Sequence, residues 1–452
     1  MPDLILLLMI VISSVVIGAV VGLMPGLNPV LGLILILPVL SGLDAYTIVI
    51  FWVCYICATQ YYGSVAALWF RIPGETSSLP VLNHSRHLRS VSAVLRCYKL
   101  TAMGSIIAAL LALVAFAAIA WGMQHSWMIF FKTQWLAAFF VFVMVLLIVS
   151  SPHRLTTVML MLLGLTIAIF PQTDAALDLC AVDTVWCVGL RPTDINLALL
   201  CLYGLPFVFG HGYFAPRGLS SRAGANLRQW RSLWKFRYVA VKHAMVGFVM
   251  GLIPGMGVTL SANTSAALES RTNKPRHLRV MCAAESSNNS AIIVSTIPFL
   301  LLGIPITGTE LVLDSWLIVH QAQSVNANFF YNDIQLAERS WPFALILIAC
   351  AIVANLLCFA LVSGFSNLYQ NISRIPATWF ENIIKVCIIG LLLFSIAHSG
   401  LNSIAIALTL VIFSLVGIWG FRKNVDITAL PICMILGPFA ADKITAAYFI
   451  LS

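Results

Sequence analysis

Gly18-Ala19-Val20-Val21-Gly22-Leu23-Met24-Pro25-Gly26-Leu27 and Gly247-Phe248-Val249-Met250-Gly251-Leu252-Ile253-Pro254-Gly255-Met256 are two copies of one pattern, G-x-x-x-G-L-x-P-G plus an apolar residue, set 229 positions apart. Both copies lie in apolar surroundings. Proline removes a backbone donor and clashes with the preceding helical turn, and glycine weakens what remains. Lipid cannot satisfy backbone groups freed in this way, so a broken helix persists only where protein or a water-filled cavity covers it. A matched pair of Gly/Pro-interrupted segments in the two halves of a chain points to a transporter binding site.

Composition agrees. The chain has 452 residues, of which 61% are hydrophobic and 9% charged, with a mean hydropathy of +0.98. A soluble domain carries about 25% charged residues, so the expected fold class is an all-α polytopic membrane protein. Met1-Pro2-Asp3 lacks the basic start of a cleavable signal, and 4–22 reads as the first membrane helix. Apolar runs near 4–22, 28–40, 47–70, 100–120, 134–150, 156–170 and 196–210 have a second set near 244–253, 258–268, 280–305, 341–364, 382–398, 402–420 and 427–450. They predict about 12–14 membrane segments, seven runs to each half. The runs at 28–40, 244–253 and 258–268 are too short to cross about 30 Å as one helix. They predict half-helices or re-entrant hairpins around the Pro-Gly breaks.

Charge assigns the faces. The loop at 84–99 holds Arg86, Arg89, Arg96 and Lys99 and no acid, whereas its counterpart at 306–340 holds Glu310, Asp314, Asp333 and Glu338 against Arg339 alone. The loop after the second Pro-Gly segment holds Arg271, Lys274, Arg276 and Arg279, and its counterpart near 41–46 only Asp44. Equivalent loops of opposite charge character lie on opposite faces of a membrane, so the halves read as inverted-topology repeats. The expected organisation is a first membrane repeat at 1–212, a basic cytoplasmic linker at 213–243 and a second membrane repeat at 244–452. The linker carries seven basic residues with Trp230 and Trp234 and reads as an amphipathic helix on the membrane face. The net charge of +9 thus records orientation and implies no nucleic acid. Cys54 and Cys57 form a C-x-x-C inside an apolar run and read as packing. Cys180 and Cys187 fall in a polar loop and would pair if that loop is oxidising, although spacing alone does not fix connectivity.

Each Pro-Gly break is followed by a polar patch and then an Ile-Pro break. The first series is Thr59-Gln60-Tyr61-Tyr62-Gly63-Ser64, then Arg71-Ile72-Pro73-Gly74. The second is Glu285-Ser286-Ser287-Asn288-Asn289-Ser290, then Ile297-Pro298 and Gly303-Ile304-Pro305. Polar groups between apolar runs are costly and face a cavity or each other. Two adjacent carboxamides offer donors and acceptors together, so Asn288 and Asn289 are candidate substrate ligands with Ser287, Gly63, Ser64 and Asn28. The bland alternative is that these side chains cap broken helices. Pro25, Gly26, Pro254, Gly255, Ser261, Asn263, Thr264 and Glu285 are candidate ion-coupling positions. Oxygens and unwound carbonyls suit a small hard cation, and a buried acid suits a proton. Glu285 alternatively pairs with a base such as Arg279. No catalytic residue is assigned, because the chain holds no H-E-x-x-H and no G-x-S-x-G. No cofactor is expected and no metal beyond a transported sodium ion, with Na+ or H+ left open as the coupling ion.

These residues resemble the large permease subunit of tripartite tricarboxylate transporters. The resemblance rests on Gly22-Leu23-Met24-Pro25-Gly26, Tyr62-Gly63-Ser64 with Ile72-Pro73-Gly74, Gly251 to Gly257, and Glu285-Ser286-Ser287-Asn288-Asn289 with Gly303-Ile304-Pro305. Asp183 with Gly189-Leu190-Arg191 is a weaker match. The resemblance implies a multi-pass permease of the bacterial inner membrane. It implies a small membrane subunit and a periplasmic binding protein that delivers a di- or tricarboxylate. It also implies symport driven by an ion gradient, and the chain lacks the G-x-x-x-x-G-K-[ST] of an ATP-driven pump. The chain departs from the family pattern at Tyr62, in place of a glycine, at Ile306 after Gly303-Ile304-Pro305, at Leu82-Asn83-His84-Ser85 and at Pro275-Arg276-His277-Leu278. Those departures motivate the alternative, a non-transporting relative acting as sensor or scaffold.

Overall fold

Helix is the only regular structure among the described residues, as lipid demands of a backbone that must satisfy its own donors and acceptors. The computed structural model describes residues 4–24, 28–70, 80–81, 88, 91–125, 141–142, 144–145, 148–149, 153–169, 197–198, 200–209, 233–255, 257–270, 276–302, 304–321, 337–365, 377–398, 403–423, 427, 429–430 and 433–434. The first half contains α1 (Leu4–Leu23), α2 (Pro29–Ile36), α3 (Ala45–Val65), α4 (Val91–His125) and α5 (Arg154–Ile169). Short turns follow at Leu200–Gly204 and Leu205–Phe209. The second half contains α6 (Arg237–Met250), α7 (Gly257–Ser270), α8 (Arg276–Leu302), α9 (Gly308–Gln321), α10 (Ala337–Gly364), α11 (Ala377–His398) and α12 (Ser403–Lys423).

Local chemistry sets several of these ends. Asn28 caps α2 by accepting the Leu31 N–H at 2.7 Å, with Pro29 preset for the first turn. Asp44 caps α3 by accepting the Thr47 N–H at 3.1 Å and the Thr47 hydroxyl at 2.7 Å. Between α6 and α7 the chain turns at Pro254 and Gly255, where Gly255 has φ 70°, a conformation open to glycine at little cost. The Pro25-Gly26 segment and the loop with Cys180 and Cys187 lie outside the described residues. So do residues 213–232 of the stretch read as a linker; its end, 237–243, forms the first turns of α6. The Ile297-Pro298 pair does not break its helix, since α8 continues to Leu302. A proline costs one ladder bond there, and neighbouring helices cover that stretch on every side.

Four described segments are long and apolar enough to cross a membrane: Leu4–Leu23, Ala45–Trp69, Ala93–Gly122 and Pro342–Gly364. They belong to α1, α3, α4 and α10. At the centre stand α3 and α8, with every residue from 47 to 69 and from 280 to 301 buried. The polar α8 is wrapped by α3, α4, α6 and α7, which keeps its carboxamides and Glu285 out of lipid. Exposed apolar side chains lie instead on the outer helices, such as Leu4 and Met9 of α1 and Val386 and Leu393 of α11.

The two G-x-x-x-G motifs pack alike. A methyl group added at Gly18 would come within 2.8 Å of the Tyr55 carbonyl, and one at Gly22 within 2.7 Å of the Thr59 carbonyl, both on α3. One added at Gly247 would strike the Ser287 carbonyl, and one at Gly251 would come within 2.6 Å of the Ala291 carbonyl, both on α8. Small residues one turn apart let backbones approach closely where no hydrophobic force drives helices together. The contacts also cross between the halves: α3 packs on α10, and α8 packs on α4.

Candidate functional site

The candidate site lies where α3, α4 and α8 meet. Asn288 sits midway along α8 and donates its Nδ2–H to Gln60 Oε1 of α3 at 2.8 Å. One residue on, Asn289 donates to Ser105 Oγ of α4 at 2.8 Å and back to the Glu285 carbonyl at 3.0 Å, with Glu285 Oε2 at 3.4 Å. Gln60, Ser105, Glu285, Asn288 and Asn289 are all at most 3% exposed. Such a group is tolerated in a low-dielectric interior only while its polar atoms are paired. Yet Asn288 Oδ1 accepts no hydrogen bond among the described residues. That carbonyl and the neighbouring amides are groups a polar ligand can complete.

The remaining candidates divide. Gly63 lies within three residues of Gln60, and a methyl group added there would meet nothing within 4 Å among the described residues. Ser64 is buried, with its hydroxyl 3.5 Å from the Gln60 carbonyl. Ser287 donates to the Ala284 carbonyl at 3.0 Å, and the Ser287 carbonyl lies 3.3 Å from Ser261 Oγ. Ser261 is thus carried by α7 to the back of the carboxamide helix. Asn263 is exposed and turned to its own backbone, donating to the Thr259 carbonyl at 2.9 Å. Two residues along a helix rotate a side chain by about 200°, so Ser261 and Asn263 cannot line one face. Thr264 is half-buried. Asn28 is engaged as a helix cap. Gly255 donates its N–H to the Ile306 carbonyl at 2.8 Å, so the tip with the buried Pro254 docks on the turn before α9.

Arg279 does not pair with Glu285. Six residues separate them on one helix, which places them on different faces. Arg279 Nε donates instead to Glu269 Oε2 at 2.7 Å, while Lys242 Nζ and His243 Nε2 each lie 3.0 Å from Glu269 Oε1. Glu269 lies at the end of α7, Lys242 and His243 midway along α6 and Arg279 in the first turn of α8, so this buried carboxylate ties three helices together. Burial pushes the Glu269 carboxyl up, but the hydrogen bonds from His243, Lys242 and Arg279 outweigh it and hold it at about 2. Burial lowers His243, helped by Lys242 and Arg279 and opposed by Glu269. A neutral His243 gives its Nε2–H to the carboxylate, which leaves Nδ1 as a bare acceptor with no partner among the described residues.

Sequence reasoning assigned no role to Gln60 or Ser105. Gln60 stands in the first polar patch, one turn before Ser64, and its length was a usable signal. Ser105 lies within a long apolar run, and nothing in the run marks it. Glu269 carries the same weakness: its three partners come from separate segments.

No group of three or more His, Cys, Asp or Glu suited to a metal occurs among the described residues. No curated protein and no solved structure matches the chain. A family model described as tripartite tricarboxylate transporter TctA matches residues 8–432. That match spans nearly all of the sequence, and the chain belongs to the tripartite tricarboxylate transporter TctA family.

Proposed function

We propose that this multi-pass membrane protein is the permease of an ion-gradient-driven symporter for a small di- or tricarboxylate. Its substrate is bound between two inverted repeats by Gln60, Asn288 and Asn289, with Ser105 and Glu285 supporting them. The setting is a bacterial inner membrane, with a small membrane subunit and a periplasmic binding protein as partners. The observation that carries this reading is the Asn288–Gln60 bond. It joins residues 228 positions apart at the buried crossing of the two central helices, and Asn288 Oδ1, without a partner among the described residues, suits a substrate hydroxyl or a coupling cation.

Several features support the inverted arrangement. Exchanging α1, α2, α3 and α4 with α6, α7, α8 and α10 maps the main helix contacts among them onto one another: α1–α3 onto α6–α8, α3–α10 onto α8–α4, α1–α10 onto α6–α4. Gln60 meets Asn288 while Trp52 meets Phe299 edge-on at 5.5 Å. Residue numbers rise on one helix as they fall on the other, so α3 and α8 cross antiparallel, as equivalent helices of inverted repeats do. Amide donors at the crossing suit carboxylate oxygens, and transporters of this build place substrates near the bilayer midplane.

The test is uptake of labelled di- and tricarboxylates into proteoliposomes. It uses the chain with its candidate small subunit and loaded binding protein, with and without a sodium gradient and at two external pH values. Gradient-dependent uptake that is lost in Asn288→Ala/Asn289→Ala supports the reading. Folded protein that takes up none of the panel refutes it and favours the non-transporting alternative.

A further inference from the structure

The turn before α9 touches the second Pro-Gly tip and the start of α2, and it is fastened by one carboxylate. It reads Ile306-Thr307-Gly308-Thr309-Glu310, a capping box with threonine at the cap and glutamate at the third helical position. Glu310 reaches back so that Oε2 accepts the N–H of Ile306 at 2.6 Å and of Thr307 at 2.9 Å. In a surface capping box the second carboxylate oxygen meets water. Here Glu310 is fully buried, and Oε1 accepts no hydrogen bond among the described residues. The Ile306 carbonyl in turn accepts the Gly255 N–H at 2.8 Å. On the other side, a methyl group added at Gly308 would come within 2.8 Å of Val30 Cγ2, at the start of α2.

We infer that Glu310 is a proton-dependent latch: ionised, it holds the turn at 306–307 and the tip of the second Pro-Gly hairpin, and protonated, it lets that tip move. This deepens the transport reading, and its functional consequence, a proton linked to hairpin movement, rests on that reading. The proton comes from the aqueous phase, lands on Oε1 and leaves to water; no other bond forms or breaks.

Position supports the role. From Asn288 to Leu302 is about 21 Å of helix, so the turn lies far from the carboxamides, towards the face that the charge pattern makes external. The segment α9 is not among the helices apolar enough to cross the membrane. Burial pushes the Glu310 carboxyl up to about 8, while the N–H groups of Ile306 and Thr307 and the Thr307 hydroxyl pull it back in part. No charged neighbour contributes among the described residues. The packed α2 carries no titratable side chain, α3 carries only tyrosines and cysteines, and the tip from Gly251 to Gly255 carries none. Asp314, one turn along α9, is the nearest acid on its own helix and is also buried. Hydrogen bonds to an ionised carboxylate are roughly twice as strong as neutral ones, so protonation weakens both bonds that hold the turn.

The test needs no substrate, and so its failure is distinguishable from failure of the transport reading. Amide hydrogen exchange is measured on the purified chain for peptides covering 251–255 and 304–309, corrected for intrinsic exchange, at about pH 9 and about pH 6.5. Protection in the wild type is expected to fall about tenfold between them. Glu310→Gln preserves shape and mimics the protonated group, and is expected to be weakly protected at both values. Infrared difference spectra should show a protonated-carboxyl band that disappears towards high pH and is missing from Glu310→Gln. Wild-type protection independent of pH, a Glu310→Gln profile that tracks the wild type, or the absence of that band overturns the proposal. If Glu310→Gln does not fold, the wild-type exchange profile alone decides.

Discussion

Replacing Gly22 and Gly251 with alanine tests the packing on which both halves rest. The added methyl groups would lie 2.7 Å from the Thr59 carbonyl and 2.6 Å from the Ala291 carbonyl. Ordinary non-bonded contact is about 3.5 Å, so α1 must retreat from α3, and α6 from α8, by nearly 1 Å. The obstacle is helical backbone in each case and cannot rotate away. Overpacking of this kind costs about 1–3 kcal/mol, whereas the better helix propensity of alanine returns up to about 1 kcal/mol. The net expectation for each variant is a loss of about 0–2 kcal/mol, against a gain of up to about 1 kcal/mol where the methyl group meets nothing. Gly63→Ala is the control, because its methyl group meets nothing within 4 Å among the described residues and keeps the propensity gain. Thermal unfolding in detergent, followed by intrinsic fluorescence, should place Gly22→Ala and Gly251→Ala below the wild type by similar margins and Gly63→Ala at or above it. The reasoning fails if Gly22→Ala or Gly251→Ala is as stable as Gly63→Ala.

Three further outcomes are expected. Glu269→Gln removes the charge that three helices share; since Lys242 is 56% exposed and Arg279 33% exposed, the loss is discounted to about 1–3 kcal/mol by thermal unfolding. The pH dependence has a definite sign: Glu269 is held at about 2 against an ordinary 4.5, so its contribution is complete above 4.5 and vanishes as pH falls towards 2. Glu269→Gln should lack that component in acid unfolding curves. Asn288→Leu and Gln60→Leu should each destabilise, while the double variant should cost at least about 1 kcal/mol less than their sum, because each single change strands a buried amide. Asn28→Ala should cost about 1 kcal/mol as a lost cap, and Asn28→Asp should restore both stability and uptake, whereas a direct substrate ligand would not tolerate the new charge.

The repeated G-x-x-x-G-L-x-P-G was legible because it is a backbone requirement. Close approach and a left-handed turn leave glycine almost no substitute, so the sequence writes the geometry directly at Gly22, Gly251 and Gly255. The carboxamide pair was legible for a related reason, as Asn288 and Asn289 are conspicuous between apolar runs. Their partners were not. Gln60 and Ser105 reach them only through packing between segments 228 and 184 positions apart, and no local pattern records such a meeting. Asn263, also polar and near a break, falls on the exposed face of α7, away from the carboxamides. Ile297-Pro298 looked like the end of a helix because proline usually is one, but burial on every side holds α8 together through it.

The proposed exchange of halves also accounts for what the site lacks. Tyr55 and Thr59 stand to Gly18 and Gly22 as Ser287 and Ala291 stand to Gly247 and Gly251, so equivalent positions on α3 and α8 differ by 232. Pro73 and Pro305 of the two Ile-Pro motifs keep the same offset. By this register the mate of Asn288 is Ile56, and the mate of Gln60 is Ile292. The carboxamides that meet at the crossing are therefore not symmetry mates; each half contributes one polar residue where the other is aliphatic. Asn289 has Cys57 as its mate. Whereas Asn289 faces Ser105 across to α4, Cys57 stands beside Asn355 of α10. On the proposed exchange the scaffold repeats and the chemistry does not. A symmetric pair of hairpins moving about the crossing would treat the two sides of a membrane alike. A site built from unlike residues binds its ligand in one orientation and presents different groups to each side. In the proposed symporter the ion gradient sets the direction of net movement, and the asymmetry of side chains on a repeated backbone sets which groups the ligand meets from each side.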